Sequence, residues 1–280
     1  MNKRRRQALQ LLAGGATLAH FPRVLAEEEN AARYFFKANV QGLRASSDKN
    51  DAQDVAQPAP GATLWLETRH ADHLVLASGR VSEWRGAEGR PSAIASSSDR
   101  RAEIGKHGEH PEVIFRDGGM LDVPTDLARG IEACTCIVAG RFAVDDSNAS
   151  FMEISISGGP RTRVGFRNGN LPTRRRDLTN FSRPFQERTK PREGVFTYFR
   201  DFMNDQGGLR ESGVRLAVDS YGQGEGTVSD TESQHAFIGA GYNRLSRAVA
   251  IQALLFYPRR LDEEEIQQTE DYLEHHYGHS

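Results

Sequence analysis

The densest chemistry in the sequence is cationic. Between positions 161 and 200 stand eleven basic residues (Arg161, Arg163, Arg167, Arg174, Arg175, Arg176, Arg183, Arg188, Lys190, Arg192 and Arg200) against three acids, Asp177, Glu187 and Glu193, a local net of +8. A guanidinium offers a planar fork of donors that pairs bidentately with carboxylate, sulfate or phosphate. Arg161, Arg163 and Arg167 are spaced to flank a strand, and Arg174, Arg175 and Arg176 fall on a loop beside it. These six are the candidate ligand-binding residues, and the ligand they suit is an anion. Phe181, Phe185, Phe196, Tyr198 and Phe199 supply apolar surface nearby. The same composition also fits a solvated loop that balances acidic neighbours such as Glu263, Glu264 and Glu265.

Catalytic groups are sparser. Hydrolysis of a glycosidic bond needs two carboxylates roughly 5 to 9 Å apart. Glu153 is the only carboxylate in its strand-like segment, and Ser155 and Ser157 occupy the places a partner would need. Elimination on an acidic polysaccharide needs a Tyr or His base and groups that neutralise a uronate. The histidines at 107, 110, 235, 275 and 276 show no metal spacing. Asp145-Asp146-Ser147-Asn148 could gather oxygens around Ca²⁺, or simply turn a hairpin. No catalytic residue and no cofactor is assigned, with Ca²⁺ at residues 145–148 as the one metal considered. Cys134 and Cys136 lack the C-x-x-C spacing of redox and zinc sites, and in a strand they share one face as small core residues.

Residues 1–26 read as a signal peptide: Lys3-Arg4-Arg5-Arg6, a mildly apolar run from Ala8 to Ala19, then Val24-Leu25-Ala26 before Glu27-Glu28-Glu29. Its charged region is similar to the twin-arginine export motif, carried by Arg5 and Arg6, with cleavage expected after Ala26. That address implies folding in the cytoplasm before export and a periplasmic or secreted product. No apolar run reaches about 18 residues, so no integral membrane segment is expected after cleavage. The whole chain has 36 basic and 38 acidic residues; removing five basic residues with the signal leaves 31 against 38, a net of −7. An acidic protein of this kind gives no support to a nucleic-acid partner.

At 38% hydrophobic and 26% charged, the chain is globular in composition, which excludes disorder, collagen and coiled coil. Residues 27–61 read as an extension and linker, and the compact domain is expected over 62–280. Its apolar segments are short and separated by Gly, Asn, Asp and Pro, the spacing of an all-β sandwich. Strands are expected near 63–66, 113–115, 120–123, 135–142, 151–157, 161–166, 194–202, 214–218, 235–238 and 248–257. One helix closes the chain, with Asp262 as N-cap, Glu265 completing a capping box, Ile266, Thr269, Leu273 and Tyr277 on one face, and Gly278 as the stop.

Two stretches resemble the laminin-G-like jelly-roll domains of the concanavalin A-like lectin and glucanase superfamily. One is Leu64-Trp65-Leu66-Glu67 followed by Val81-Ser82-Glu83-Trp84-Arg85; the other runs from Ala253 through Leu261-Asp262-Glu263-Glu264-Glu265-Ile266 to Tyr272-Leu273 and Tyr277-Gly278. Between them, Pro111 to Phe115 with Gly118 to Leu121 is similar to the family's short strand pair, and Ala236 to Gly241 to its late Ile-Gly turn. Glu67 departs from the usual Asp, the Gly86-Ala87-Glu88-Gly89 turn is short, and the basic insertion is long. Tyr34 to Gln41 is also similar to one alginate-lyase motif, but it lies ahead of the linker. The resemblance implies an antiparallel jelly-roll β-sandwich with a C-terminal α-helix, and Trp65 and Trp84 as core residues. By analogy of fold it implies a binding module without turnover, whose partner is a glycan, including an acidic polysaccharide, or an envelope protein. The alternatives are a polysaccharide lyase on an acidic glycan and an assembly or scaffold protein of the envelope.

Overall fold

The structure, a computed structural model, describes residues 57–124, 126–127, 130–142, 149–155, 163–167, 192–204, 206–220, 235–239 and 248–278. All belong to a compact unit spanning Asp51–Ser280. The signal, most of the extension, the Asp145–Asn148 segment and Tyr34–Gln41 lie outside the described residues.

Short apolar segments cannot bury both faces alone, and here they pair into two antiparallel sheets packed as a jelly-roll sandwich. Sheet A runs in the order β13 (Val214–Ser220), β12 (Gln206–Glu211), β11 (Arg192–Asp201), β8 (Ala133–Phe142), β15 (Val249–Tyr257), β6 (His110–Phe115) and β5 (Glu103–His107), with β1 (Leu64–Glu67) also on β15. Sheet B runs β10 (Arg163–Arg167), β9 (Ser150–Ser155), β14 (His235–Ile238), β7 (Leu121–Val123), β4 (Ala93–Ile94), β3 (Arg80–Trp84) and β2 (Leu74–Ala77). β6 and β1 lie end to end along β15, pairing with Val249–Ile251 and Ala253–Phe256, and a register shift near Gln252 separates the two pairings. Thr68 closes the junction: its N–H donates to the Gln252 carbonyl at 2.9 Å and its hydroxyl to that of Pro111 at 2.8 Å.

Alternation along β8 sends Cys134, Cys136, Val138 and Phe142 between the sheets and Ile137 and Ala139 to the other face. The main core holds Trp84, Phe115, Phe151, Phe166, Phe196, Tyr198 and Phe256, and the rings of Phe142, Phe151 and Phe196 meet at 4.1–5.3 Å. Each fully buried ring contributes about 1.5–3 kcal/mol. Burial pushes the Cys134 thiol up to about 12, so both cysteines behave as small apolar side chains and not as thiolates. At the turn leaving β14, Gly239 has φ +76°, and a Cβ there would sit 2.1 Å from the Phe115 ring, so this position admits only glycine.

The outer face of sheet A carries a second core under α1 (Glu263–Tyr277). Asp262 caps the helix by accepting from the Glu265 N–H at 2.9 Å, and the Glu265 side chain accepts from the Asp262 N–H at 3.1 Å. Ile266, Tyr272, Leu273 and Tyr277 pack on Trp65, Ile137, Ala139, Val195, Leu255 and Tyr257. Each expected strand is present within three residues at its described ends, as is the helix with its capping box. β2, β3, β4, β5 and β12 were not expected as strands. β12 hides behind Gly207 and Gly208: the second lies under the Phe199 ring, where a Cβ would come within 2.0 Å. Trp84 and Trp65 are both buried, as expected. Ahead of β1, Ala59 docks on the helix, donating to the Thr269 hydroxyl at 3.0 Å and accepting from the Tyr257 hydroxyl at 3.0 Å.

Candidate functional site

Three carboxylates buried in sheet A and its helix each meet a guanidinium. On the outer face of sheet A, Glu112 takes a bidentate fork from Arg141 at 3.0 and 2.6 Å. Beneath the helix, Glu270 accepts from Thr197 at 2.6 Å and from Arg210 at 2.9 Å, and Arg210 also reaches Glu263. Burial still raises the Glu270 carboxyl above its ordinary value. Glu67, at the end of β1, is fully buried. Its Oε1 accepts from the Trp65 indole at 2.6 Å and from the Tyr272 hydroxyl, and its Oε2 pairs with Arg69 Nε at 2.7 Å. The Trp84 indole donates to the Glu67 carbonyl at 3.1 Å. Arg69 lies over the Tyr272 ring, within 3.1 Å of His276 Nε2, and its N–H reaches the Tyr277 hydroxyl at 3.3 Å.

Glu67 and Arg69 line a cleft of about 330 Å³ beside the helix. Its wall is the one-turn 3-10 segment Ala71–His73, preceded by His70, and its far side is a second such segment, Ala87–Gly89. The chain reaches this turn directly from β1 and leaves it into β2, so the backbone on both sides is fixed by sheet pairing. Trp65 forms part of the lining, and Arg90 stacks over its ring at 5.3 Å while bonding Glu88 at 2.9 Å. The His70 and His73 rings stand 5.0 Å apart, and both His70 and Asp72 are exposed. Partial desolvation of its ring, then Arg69 and His73, hold His70 below the ordinary imidazole range, so it is neutral at pH 7. The cleft thus offers carboxylate acceptors, the neutral imidazole of His70, which both donates and accepts, the imidazole of His73, and one engaged guanidinium. Its volume lies at the small end of the range for ligand pockets.

Two of the six candidate arginines are placed elsewhere. Arg163 and Arg167 lie on β10, at the opposite edge of sheet B from β2, six strand spacings or roughly 29 Å across the sheet. Arg161, Arg174, Arg175 and Arg176 lie outside the described residues, as do Arg5, Arg6 and Ala26. Two further members of the tract turn into the fold: Arg192 forks onto Glu211, with Nε at 3.2 Å, and Arg200 is buried beside the Phe202 ring. Among the described residues no group of three or more His, Cys, Asp or Glu side chains is arranged to hold a metal. His70, Asp72 and His73 were missed by sequence reading. The signal was there, as His-Ala-Asp-His two residues after the Leu-Trp-Leu-Glu strand, but without the fold it has no neighbour to act with.

No family model and no curated protein matches the chain. Among solved structures it is similar to domain 4 of AbnA, a GH43 extracellular arabinanase from Geobacillus stearothermophilus, in complex with arabinotriose, at 9% identity over 77% of this chain and 100% of that one, with a TM-score of 0.52. It is also similar to Trypanosoma rangeli sialidase in complex with sialic acid, at 13% identity over 78% of this chain, with a TM-score of 0.50. The chain spans 34% of that sialidase's length, and 26% of the NanB sialidase from Streptococcus pneumoniae, which it matches at 11% identity over 54% of itself with a TM-score of 0.41. At these identities the likeness is one of fold.

Two outcomes follow from the Glu67 centre. Glu67→Ala strands the Trp65 and Tyr272 donors and the Arg69 cation, and is expected to cost about 3 kcal/mol in urea unfolding. Glu67→Gln, which keeps an acceptor, costs less; equal stability of Glu67→Ala and the parent chain would contradict the role given to this carboxylate. Burial, then Arg69 and His275, hold His276 down to about 4. Between pH 6.5 and 4 the unfolded chain therefore binds a proton that the folded chain does not, so stability falls on acidification through that window. His276→Gln should shrink the fall in urea midpoint between pH 7 and pH 4.5, and identical slopes for variant and parent would refute the assignment.

Proposed function

We propose that the protein is an exported binding module that recognises a glycan without converting it. The observation that carries this reading is the polar cleft at the end of β1, held open by a fully buried Glu67 and walled by His70, Asp72 and His73. It is a small site of hydrogen-bonding groups on fixed backbone, the kind of surface a polyhydroxylated ligand needs. Two further facts support the reading. The whole of the arabinanase domain 4, recorded in complex with arabinotriose, aligns with this chain. Three deeply buried carboxylates, Glu67, Glu112 and Glu270, are each tied to an arginine and so serve the fold before any acid–base chemistry.

Native affinity electrophoresis through gels holding neutral or acidic polysaccharides tests the reading. Retardation in at least one gel, with no depolymerised product in it, is the expected result. Mobility unchanged in every gel would sink the glycan reading, and product in the gel would move the protein to the lyases.

Export by the twin-arginine route is part of the same proposal, resting on Arg5, Arg6 and the Val24-Leu25-Ala26 ending. Replacing both arginines by lysine should hold the precursor in the cytoplasm, and cell fractionation reads the result. Normal appearance of the processed chain in the periplasm would remove twin-arginine export from the proposal.

A further inference from the structure

The charge of the cleft says which glycans it takes. We infer that the cleft is a subsite for one uncharged sugar unit and that it turns uronates and other acidic sugars away. The inference rests on the glycan reading above and goes against the expectation, drawn from the arginine tract, of an anionic ligand.

The cleft is lined by three carboxylates, Glu67, Asp72 and Glu88, and one guanidinium, Arg69. Glu67 and Arg69 cancel each other at 2.7 Å, and Arg69 is further held by the Tyr272 ring and by His276. Its Nε and Nη1 are therefore already engaged within the fold. Glu88, on the exposed rim, is balanced by Arg90 at 2.9 Å. The Asp72 carboxylate forms no ion pair among the described residues: Arg85, whose Nη1 donates to the Asp72 backbone carbonyl at 3.3 Å, is balanced by Glu83 at 3.8 Å, so the site carries a net negative charge near the exposed end of the Ala71–His73 turn. His70 adds none, because partial desolvation and the neighbouring Arg69 keep it neutral at pH 7.

A sugar carboxylate entering here would meet Asp72 at close range, with Arg69 and Arg90 already paired and Arg85 shared with Glu83. Like-charge juxtaposition is a common device of specificity. A carboxylate, moreover, only accepts hydrogen bonds, and the cleft's own acidic groups likewise only accept. Sugar hydroxyls can do both. They can donate to Asp72 and Glu88 and bond the imidazoles of His70 and His73. At about 330 Å³ the space suits a terminal unit more than a long chain in a groove. The floor of the site is fixed by the bonds from Trp65 and Tyr272 to Glu67, so little ordering is required on binding.

Titration calorimetry of the full chain separates the possibilities, with arabinotriose and cellotriose as uncharged probes and a trigalacturonate as the charged one. The expected result is binding of at least one uncharged probe, with little change between low and high salt, and none of the trigalacturonate. Asp72→Ala and His70→Ala, both on the exposed rim, should each weaken that binding about tenfold, or about 1.4 kcal/mol, with an unaltered circular dichroism spectrum. Asp72→Lys should lose affinity for the uncharged probe and gain it for trigalacturonate. Preferential binding of trigalacturonate by the parent chain, abolished by salt and by neutralising Arg174, Arg175 and Arg176 but indifferent to Asp72, would overturn the inference while leaving the glycan reading in place. Failure of every probe here, together with unchanged mobility in every polysaccharide gel, would overturn both.

Discussion

A single buried carboxylate ties the layers of this protein together. Glu67 sits where β1 ends, between the second core and the cleft, and it cannot be stable there unless its charge is met. The fold meets it from three directions: the Trp65 indole from the same strand, the Tyr272 hydroxyl from the helix, and the Arg69 guanidinium from the chain just beyond. Each donor is usable only if its element is in place. Sliding the helix by one turn would carry Tyr272 away, and shifting β1 by one residue would turn Trp65 and Glu67 to the opposite face, into the sandwich. The interaction therefore fixes register more than it adds net stability, as expected of a buried ion pair.

The same logic recurs at Glu270 and Glu112. Glu270 joins the helix to Thr197 on β11 and Arg210 on β12, while Glu112 joins β6 to Arg141 across the intervening β15. All three carboxylates lie on the outer face of sheet A or under the helix, and the core between the sheets is filled by aromatic and aliphatic side chains. Packing between the sheets supplies the driving force, and the ion pairs on the outer face decide where the covering helix comes to rest.

How much of this could be read in advance depends on how local each cause is. The helix was legible to the residue because a capping box is written in four consecutive positions, Asp262 to Glu265. β8, β11 and β15 were legible because they are long and apolar. β2, β4 and β5 are short, and β12 carries a Gly-Gly pair whose reason is the Phe199 ring on the neighbouring strand, a contact absent from the local sequence. Glu67 stood out only as a departure from the usual Asp; the longer side chain matters because its partners, Tyr272 and Arg69, are brought by the helix and by the strand exit. The cleft was invisible for the same reason, since His70, Asp72 and His73 become a wall only once β1 and β2 are in different sheets.

The described members of the arginine tract teach the opposite lesson, that residues clustered in sequence need not share one surface in space. Arg192 turns to Glu211, Arg200 is buried by Phe202, and Arg163 and Arg167 stand on an edge strand of the other sheet. A count of charge along the chain adds such residues together, whereas the electric field at a ligand depends on distance and on which charges are already paired. By that measure the relevant balance is that of the few groups around the cleft, where Asp72 is left over after Glu67 has been matched with Arg69 and Glu88 with Arg90. Because the carboxylate that docks the helix also forms the floor of the cleft, the shape of the site is set by the same bonds that complete the fold. A ligand meets a surface that has already been ordered during folding.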